Sequence, residues 1–138
     1  MAQHFSGKVA LKAVIEQEGK ILLVRDVNDA DIWEIPGGRL DENETPEEGL
    51  KRELQEELAV KVDVHELIYT EQSLHTQKGE WTLFLIFRAT LLSNNSTLVP
   101  APEEIAEIRW IEKSKLDEQK IYDVYRKGIE AFLKSSAV

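Results

Sequence analysis

Residues 38–60 read GRLDENETPEEGLKRELQEELAV, and the spacing inside this stretch dictates a helix with a charged working face. Thr45-Pro46-Glu47-Glu48 is a helix start: Thr45 caps, Pro46 takes a first position whose amide needs no partner, and Glu48 completes a capping box. Leu50, Leu54 and Leu58 recur every fourth residue and form the apolar stripe. At 100° per residue, Glu53, Glu56 and Glu57 fall within an arc of about 100° on the adjacent face. Carboxylates about 6 Å apart repel by roughly 3 kcal/mol per pair at an effective dielectric of about 20, before solvent screens them. Something positive belongs among them.

Upstream, Val9, Leu11, Ala13 and Ile15 alternate with other residues, the period of a half-buried strand. Glu18-Gly19-Lys20 reads as a tight turn and Ile21 to Val24 as an apolar run. Residues 9–25 are therefore expected as a β-hairpin whose second strand is buried on both faces. Residues 26–31 read as polar loop and residues 33–36 as a short strand broken by Pro36-Gly37-Gly38. Downstream, residues 60–70 and 81–92 are strand-rich and joined by a loop at 75–80, and 93–102 is a polar connection. Residues 105–111 form a last strand, and Ile121, Val124, Tyr125, Ile129, Phe132 and Leu133 trace one side of a terminal helix. There is no repeat or linker, and 138 residues fit a single domain over 1–138.

The balance of 17 basic against 26 acidic residues, net charge -9, argues against a nucleic-acid polymer or an anionic membrane as partner, since either needs a concentrated basic surface. The absence of cysteine removes disulfides, a thiolate nucleophile and cysteine zinc sites, and fits a reducing compartment. The first residues lack the apolar core of a signal peptide, and no apolar run reaches the roughly 18 residues that span a bilayer. A cytoplasmic location is expected, with a homodimer left open.

As a pattern, the opening stretch is Gly38, five residues, Glu44, seven residues, then Arg52-Glu53-Leu54-x-Glu56-Glu57-x-Ala59-Val60. This resembles the Nudix box, the 23-residue signature of enzymes that hydrolyse nucleoside diphosphates linked to another group. One position departs: Ala59 stands where the family has glycine. Trp33-Glu34-Ile35-Pro36-Gly37 is similar to the family's lead-in, and the element order fits over essentially the whole chain. The resemblance implies an α+β fold, an α/β/α sandwich with a mixed β-sheet, and strands interspersed with two main helices are compatible with it. It also implies that Glu53, Glu56 and Glu57, with a backbone carbonyl at Gly37 or Gly38, carry the metals, and that Arg52 and Glu44 support the site by docking the loop on the helix. An all-oxygen cluster suits Mg²⁺ or Mn²⁺. A charged helical stretch taken alone is more often a solvated face; the glycine turn, Glu44 and the Arg-Glu pair at fixed offsets shift the reading to a site.

Catalytic roles fall to Glu53, Glu56 and Glu104, the last because related enzymes often place a glutamate in the loop before a strand such as Glu107-Ile108-Arg109-Trp110. A carboxylate tight on two cations is a poor proton acceptor, which favours Glu104 as general base. Arg25 would meet a substrate phosphate, with a surface ion pair as its plainer role, and Trp33 or Trp81 would stack on a base, with core packing as theirs. His4, His65 and His75 show no ligand spacing. The expected substrate is a small nucleotide, with a (deoxy)nucleoside triphosphate pyrophosphohydrolase favoured over an ADP-ribose or dinucleoside polyphosphate hydrolase. A non-catalytic nucleotide sensor is the rival from another class.

Overall fold

A computed structural model describes residues 3–93 and 97–135. Its elements are β1 (Gly7–Gln17), β2 (Lys20–Asp26), β3 (Asp29–Glu34), β4 (Gly37–Arg39), α1 (Pro46–Leu58), β5 (Val62–His75), β6 (Glu80–Leu91), β7 (Ile105–Glu112), a short 3-10 helix (Lys113–Glu118) and α2 (Asp123–Ser135). The central strand β1 runs parallel to β6 and antiparallel to β4, and β6 pairs antiparallel with β5. At its far end β1 turns into β2, which pairs antiparallel with β3 and β7. Among the described residues no helix is long and apolar enough to cross a membrane.

The expected sandwich with a mixed sheet is the fold observed, because the strands bury both faces. Leu22 and Val24 join Leu50, Leu54 and Leu58 of α1 in one core, while Ile21 and Leu23 join Tyr125, Ile129 and Phe132 of α2 in the other. The apolar run of β2 is thus buried on both sides, as its composition predicts. For β1 the alternation understates the burial. Leu11, Ala13 and Ile15 face α1, but Val14 is fully buried toward α2 and Lys12 is only 7% exposed. Strand β1 has strands on both sides and a helix over each face, so neither set of side chains reaches water freely.

Three local expectations are corrected. The polar loop at 26–31 shrinks to a turn in which Asp26 Oδ1 accepts the Asn28 amide at 2.7 Å, and β3 starts at Asp29. Pro36-Gly37-Gly38 does not end the sheet: β4 begins at Gly37 and pairs with Leu11 and Lys12. The loop at 75–80 contracts to a turn between His75 and Glu80, paired in register, with Gly79 at φ +65°. Of the expected connection 93–102, residues 94–96 lie outside the described residues.

Helix α1 starts as read. Thr45 Oγ1 accepts the Glu48 amide at 3.1 Å and Glu48 Oε1 accepts the Thr45 amide at 3.3 Å, the reciprocal bonds of the capping box. It ends on Ala59, whose φ of 54° and ψ of 42° are left-handed and whose amide donates to the Gln55 carbonyl. Its C-terminal end is held by the chain that leads to β7: Val99 donates to the Leu58 carbonyl and Ala101 to the Glu57 carbonyl, both at 2.9 Å.

Candidate active site

Strand β4 and helix α1 build the site between them. The β1–β4 ladder bonds Ala13 to Pro36 and Leu40 to Val9, and Lys12 faces Gly37 in a pair lying between those bonds. The Gly37 amide and carbonyl therefore turn away from β1 and need other partners. The amide donates to Glu57 Oε1 at 3.2 Å, and the carbonyl accepts from Lys12 Nζ at 3.3 Å. Only glycine fits here: φ is +138°, and a Cβ would lie 2.0 Å from the Leu11 carbonyl oxygen. Next to it, a Cβ on Gly38 would lie 2.0 Å from Glu53 Oε2, so the missing side chain is the space the Glu53 carboxylate fills.

Arg52 organises the outer half. Its Nε and Nη2 donate to the two Glu44 oxygens at 3.0 and 2.8 Å, a bidentate pair, and Nη2 also donates to the Arg39 carbonyl at 2.9 Å. Nη1 donates to Glu53 Oε1 at 2.9 Å and Glu56 Oε2 at 3.1 Å. One guanidinium thus clamps loop 39–44 to the helix and aims two of its carboxylates. The Arg52 hydrogen bonds, with the Asp41 amide, hold the Glu44 carboxyl down to about 2.

Glu57 is 8% exposed. Burial pushes its carboxyl up to about 7, against the opposing pull of Lys12 and the Gly37 amide. Burial opposes the charge on Lys12 as well, but Tyr125, Glu34 and Glu57 outweigh it and raise the ammonium above the usual lysine range. Lys12 donates to Glu34 Oε1 at 2.9 Å and lies 5.1 Å from the Tyr125 ring centre. Sequence reasoning missed Lys12, Glu34 and Tyr125 as neighbours of the site. The available signal was a lysine between buried apolar positions of a strand with a helix on either side.

Glu104 stands in the turn before β7, anchored by its carbonyl, which accepts the Val27 amide at 2.9 Å. Partial desolvation and the negative charges of Glu53, Glu103, Glu56 and Asp26 push its carboxyl up. Arg25 donates from Nη1 to its cross-strand partner Glu107 at 3.1 Å, while its Nε is buried without a hydrogen-bond partner among the described residues. Its guanidinium lies 3.9 Å from the Trp33 ring centre, and Arg109 covers the same ring at 5.2 Å. Trp33 is 1% exposed. The expectation that it stacks on a base is therefore corrected: both its burial and its arginine cover leave no face for one, and it acts as the shelf for Arg25. Trp81 stays 42% exposed.

Among the described residues no three acidic or histidine side chains converge on one point. Glu53 and Glu56 lean on Arg52 and Glu57 on the Gly37 amide. The donor set nonetheless fits a hard divalent cation: it is all oxygen, it shares one face, and its innermost carboxylate lacks enough positive charge to ionise in its usual range.

Comparison with protein families matches residues 7–132 to the NUDIX domain. A MutT-like protein of Streptomyces ambofaciens is 36% identical over 102 residues, 68% of this chain and 63% of that protein. A CTP pyrophosphohydrolase of Escherichia coli is 38% identical over 63 residues, 44% of this chain and 47% of that protein. The chain thus spans less than two thirds of either relative. A crystal structure of a MutT NUDIX hydrolase from Burkholderia pseudomallei shares the fold at a TM-score of 0.80 and 23% identity, covering 92% of this chain and 98% of that one. With the match running from β1 to the last turns of α2 and taking in the whole acidic face, the chain belongs to the NUDIX domain family.

Proposed function

We propose that the protein hydrolyses a nucleoside diphosphate linked to another group with the help of Mg²⁺ or Mn²⁺, and that the substrate is a (deoxy)nucleoside triphosphate, cleaved by water to a monophosphate and pyrophosphate. The observation that carries this reading is the placement of Glu53, Glu56 and Glu57 against Gly37 and Gly38, with Arg52 and Glu44 locking the loop beside them. These glutamates and a glycine carbonyl would hold the ion. Bound there, it would neutralise the diphosphate and acidify the attacking water. Arg25, whose partly exposed guanidinium lies 3.9 Å from the Trp33 ring centre, would offer the phosphate a donor. Glu104 accepts the water's proton on its carboxylate, a role that its raised proton affinity favours. A triphosphate substrate draws support from the relative named a CTP pyrophosphohydrolase.

The test is a panel of nucleoside triphosphates, ADP-ribose and dinucleoside polyphosphates with each metal, following pyrophosphate and phosphate. Pyrophosphate released from a triphosphate is the expected result. Cleavage of only the other substrates would move the substrate assignment, and tight binding of a nucleotide without any turnover would overturn hydrolysis in favour of a sensor.

A further inference from the structure

Away from the acidic face, strands β2 and β7 bring a second charged cluster together. Their register pairs Arg25 with Glu107 and Leu23 with Arg109, so Arg25, Glu107 and Arg109 share one face of the ladder. Glu107 accepts from both arginines, from Arg25 Nη1 on Oε1 at 3.1 Å and from Arg109 Nη2 on Oε2. Among the described residues neither guanidinium has another hydrogen-bond acceptor. Trp33 supplies the second restraint, with its ring centre 3.9 Å from the Arg25 guanidinium carbon and 5.2 Å from that of Arg109.

A guanidinium carries five N–H donors in one plane. Stacking on a ring fixes that plane without using any of them, and Glu107 takes one from each arginine. The Arg25 Nε is buried, which leaves its Nη groups and most of the Arg109 fork as donors on side chains that are 29% and 51% exposed. A simple cross-strand ion pair sets one cation against one anion. Here two cations share one carboxylate, in a chain of net charge -9, and both meet the same ring and the same carboxylate, close enough for one phosphate to bond both. Glu104 lies three residues before Glu107 on the chain, about 10 Å at strand spacing.

We propose that Arg109 is a second phosphate-binding residue: with Arg25 it forms a clamp, held by Trp33 and Glu107, for the terminal phosphate of a triphosphate, beyond the bond that is cleaved. The proposal rests on the reading of the protein as a triphosphate hydrolase and adds to it what selects the length of the phosphate chain. Losing Arg109 weakens the hold on a triphosphate and leaves a diphosphate, which has no third phosphate to reach the clamp, as it was.

The test is calorimetric binding, with Mg²⁺ present, of the α,β-methylene analogues of ATP, CTP, ADP and CDP to the wild type, Arg109→Met and Arg109→Lys. The methylene bridge replaces the bond that the proposed reaction cleaves. Arg109 is half exposed, so both variants should keep the wild-type melting temperature. Arg109→Met should bind the triphosphate analogues about tenfold more weakly, as for the loss of one charge-assisted hydrogen bond, and should bind the diphosphate analogues as the wild type does. Arg109→Lys keeps the charge without the fork and should recover part of the loss. On a triphosphate that turns over, Arg109→Met should raise KM about tenfold with little change in kcat. Unaltered binding of the triphosphate analogues by Arg109→Met would overturn the clamp, and so would an equal loss on the diphosphates or a wild type that binds none of the four. No turnover of any substrate alongside the selective loss in Arg109→Met would overturn hydrolysis and leave the clamp standing, whereas turnover of a triphosphate with unaltered variants would overturn the clamp alone.

Discussion

At the scale of single residues, Glu57 carries the sharpest consequence. Its folded carboxyl sits at about 7 against 4.5 for an unperturbed one, so between those values the folded state binds more protons than the unfolded. Stability from this group is complete below about pH 4.5 and is lost as pH rises through about 7. Glu44 runs the other way: held down to about 2 by Arg52, it contributes above pH 4.5 and loses that contribution as the pH falls toward 2. The metal-free protein should therefore melt highest near pH 5 and lose melting temperature toward pH 8. Glu57→Gln should flatten that decline and stabilise the metal-free protein at pH 8 by up to about 3 kcal/mol, while abolishing turnover. Thermal melts in EDTA at a series of pH values check it, and an unchanged pH slope would show that burial does not govern Glu57. Glu104 separates proton transfer from ion binding. Glu104→Gln should lower kcat by roughly 10² to 10⁴ with little change in the Mg²⁺ activation curve, whereas Glu53→Gln should shift that curve as well. A Glu104 variant with near-normal kcat would return the base role to Glu53 or Glu56.

At the scale of elements, helix α1 holds most of what is chemical here, and it was legible because its signals are local. The cap at Thr45, the Leu50, Leu54 and Leu58 stripe and the acidic face all depend on spacing within 14 residues of one helix and its cap. Thr45→Ala should cost about 1 kcal/mol by removing the oxygen that serves the Glu48 amide. At the other end Ala59 adopts the left-handed conformation that favours glycine. Ala59→Gly relieves that strain while adding freedom to the unfolded chain, so it should fall between neutral and about 1 kcal/mol more stable. Denaturant melts of both variants read these shifts, and a clearly destabilised Ala59→Gly would mean that the methyl packs in a way the strain does not outweigh. What the spacing did not reveal is what distant elements bring. Lys12 reads as the outer face of a half-buried strand until α2 covers it, Trp33 reads as a stacking platform until Arg25 from the neighbouring strand covers its ring, and Gly37 reads as a strand breaker until β1 pairs with it. Each depends on a tertiary contact between residues 8 to 113 positions apart, which no local pattern encodes.

At the scale of the whole molecule, the acidic face and one of the two cores are coupled through α1. One side of the helix packs Leu50, Leu54 and Leu58 against β1 and β2, and the next presents Glu53, Glu56 and Glu57 beside β4. In a chain of net charge -9, those carboxylates repel one another, with Arg52 bonded to Glu53 and Glu56 and Lys12 bonded to the carbonyl of Gly37, whose amide meets Glu57. A divalent ion held by α1 and β4 together would relieve the repulsion and tie the helix to the sheet, and because it binds only the folded arrangement it stabilises by mass action. At about a hundred times its dissociation constant the gain is about 2.7 kcal/mol, roughly 8 °C in melting temperature for a domain of this size. Mg²⁺ should therefore raise the melting temperature by several degrees beyond KCl of equal ionic strength, which screens surface charge without coordinating it. Glu53→Gln and Glu57→Gln should melt no lower than the wild type in EDTA and gain much less from Mg²⁺. If KCl reproduces the whole shift, or both variants respond as fully as the wild type, the stabilisation is diffuse screening of an acidic surface, and these glutamates do not form the metal site.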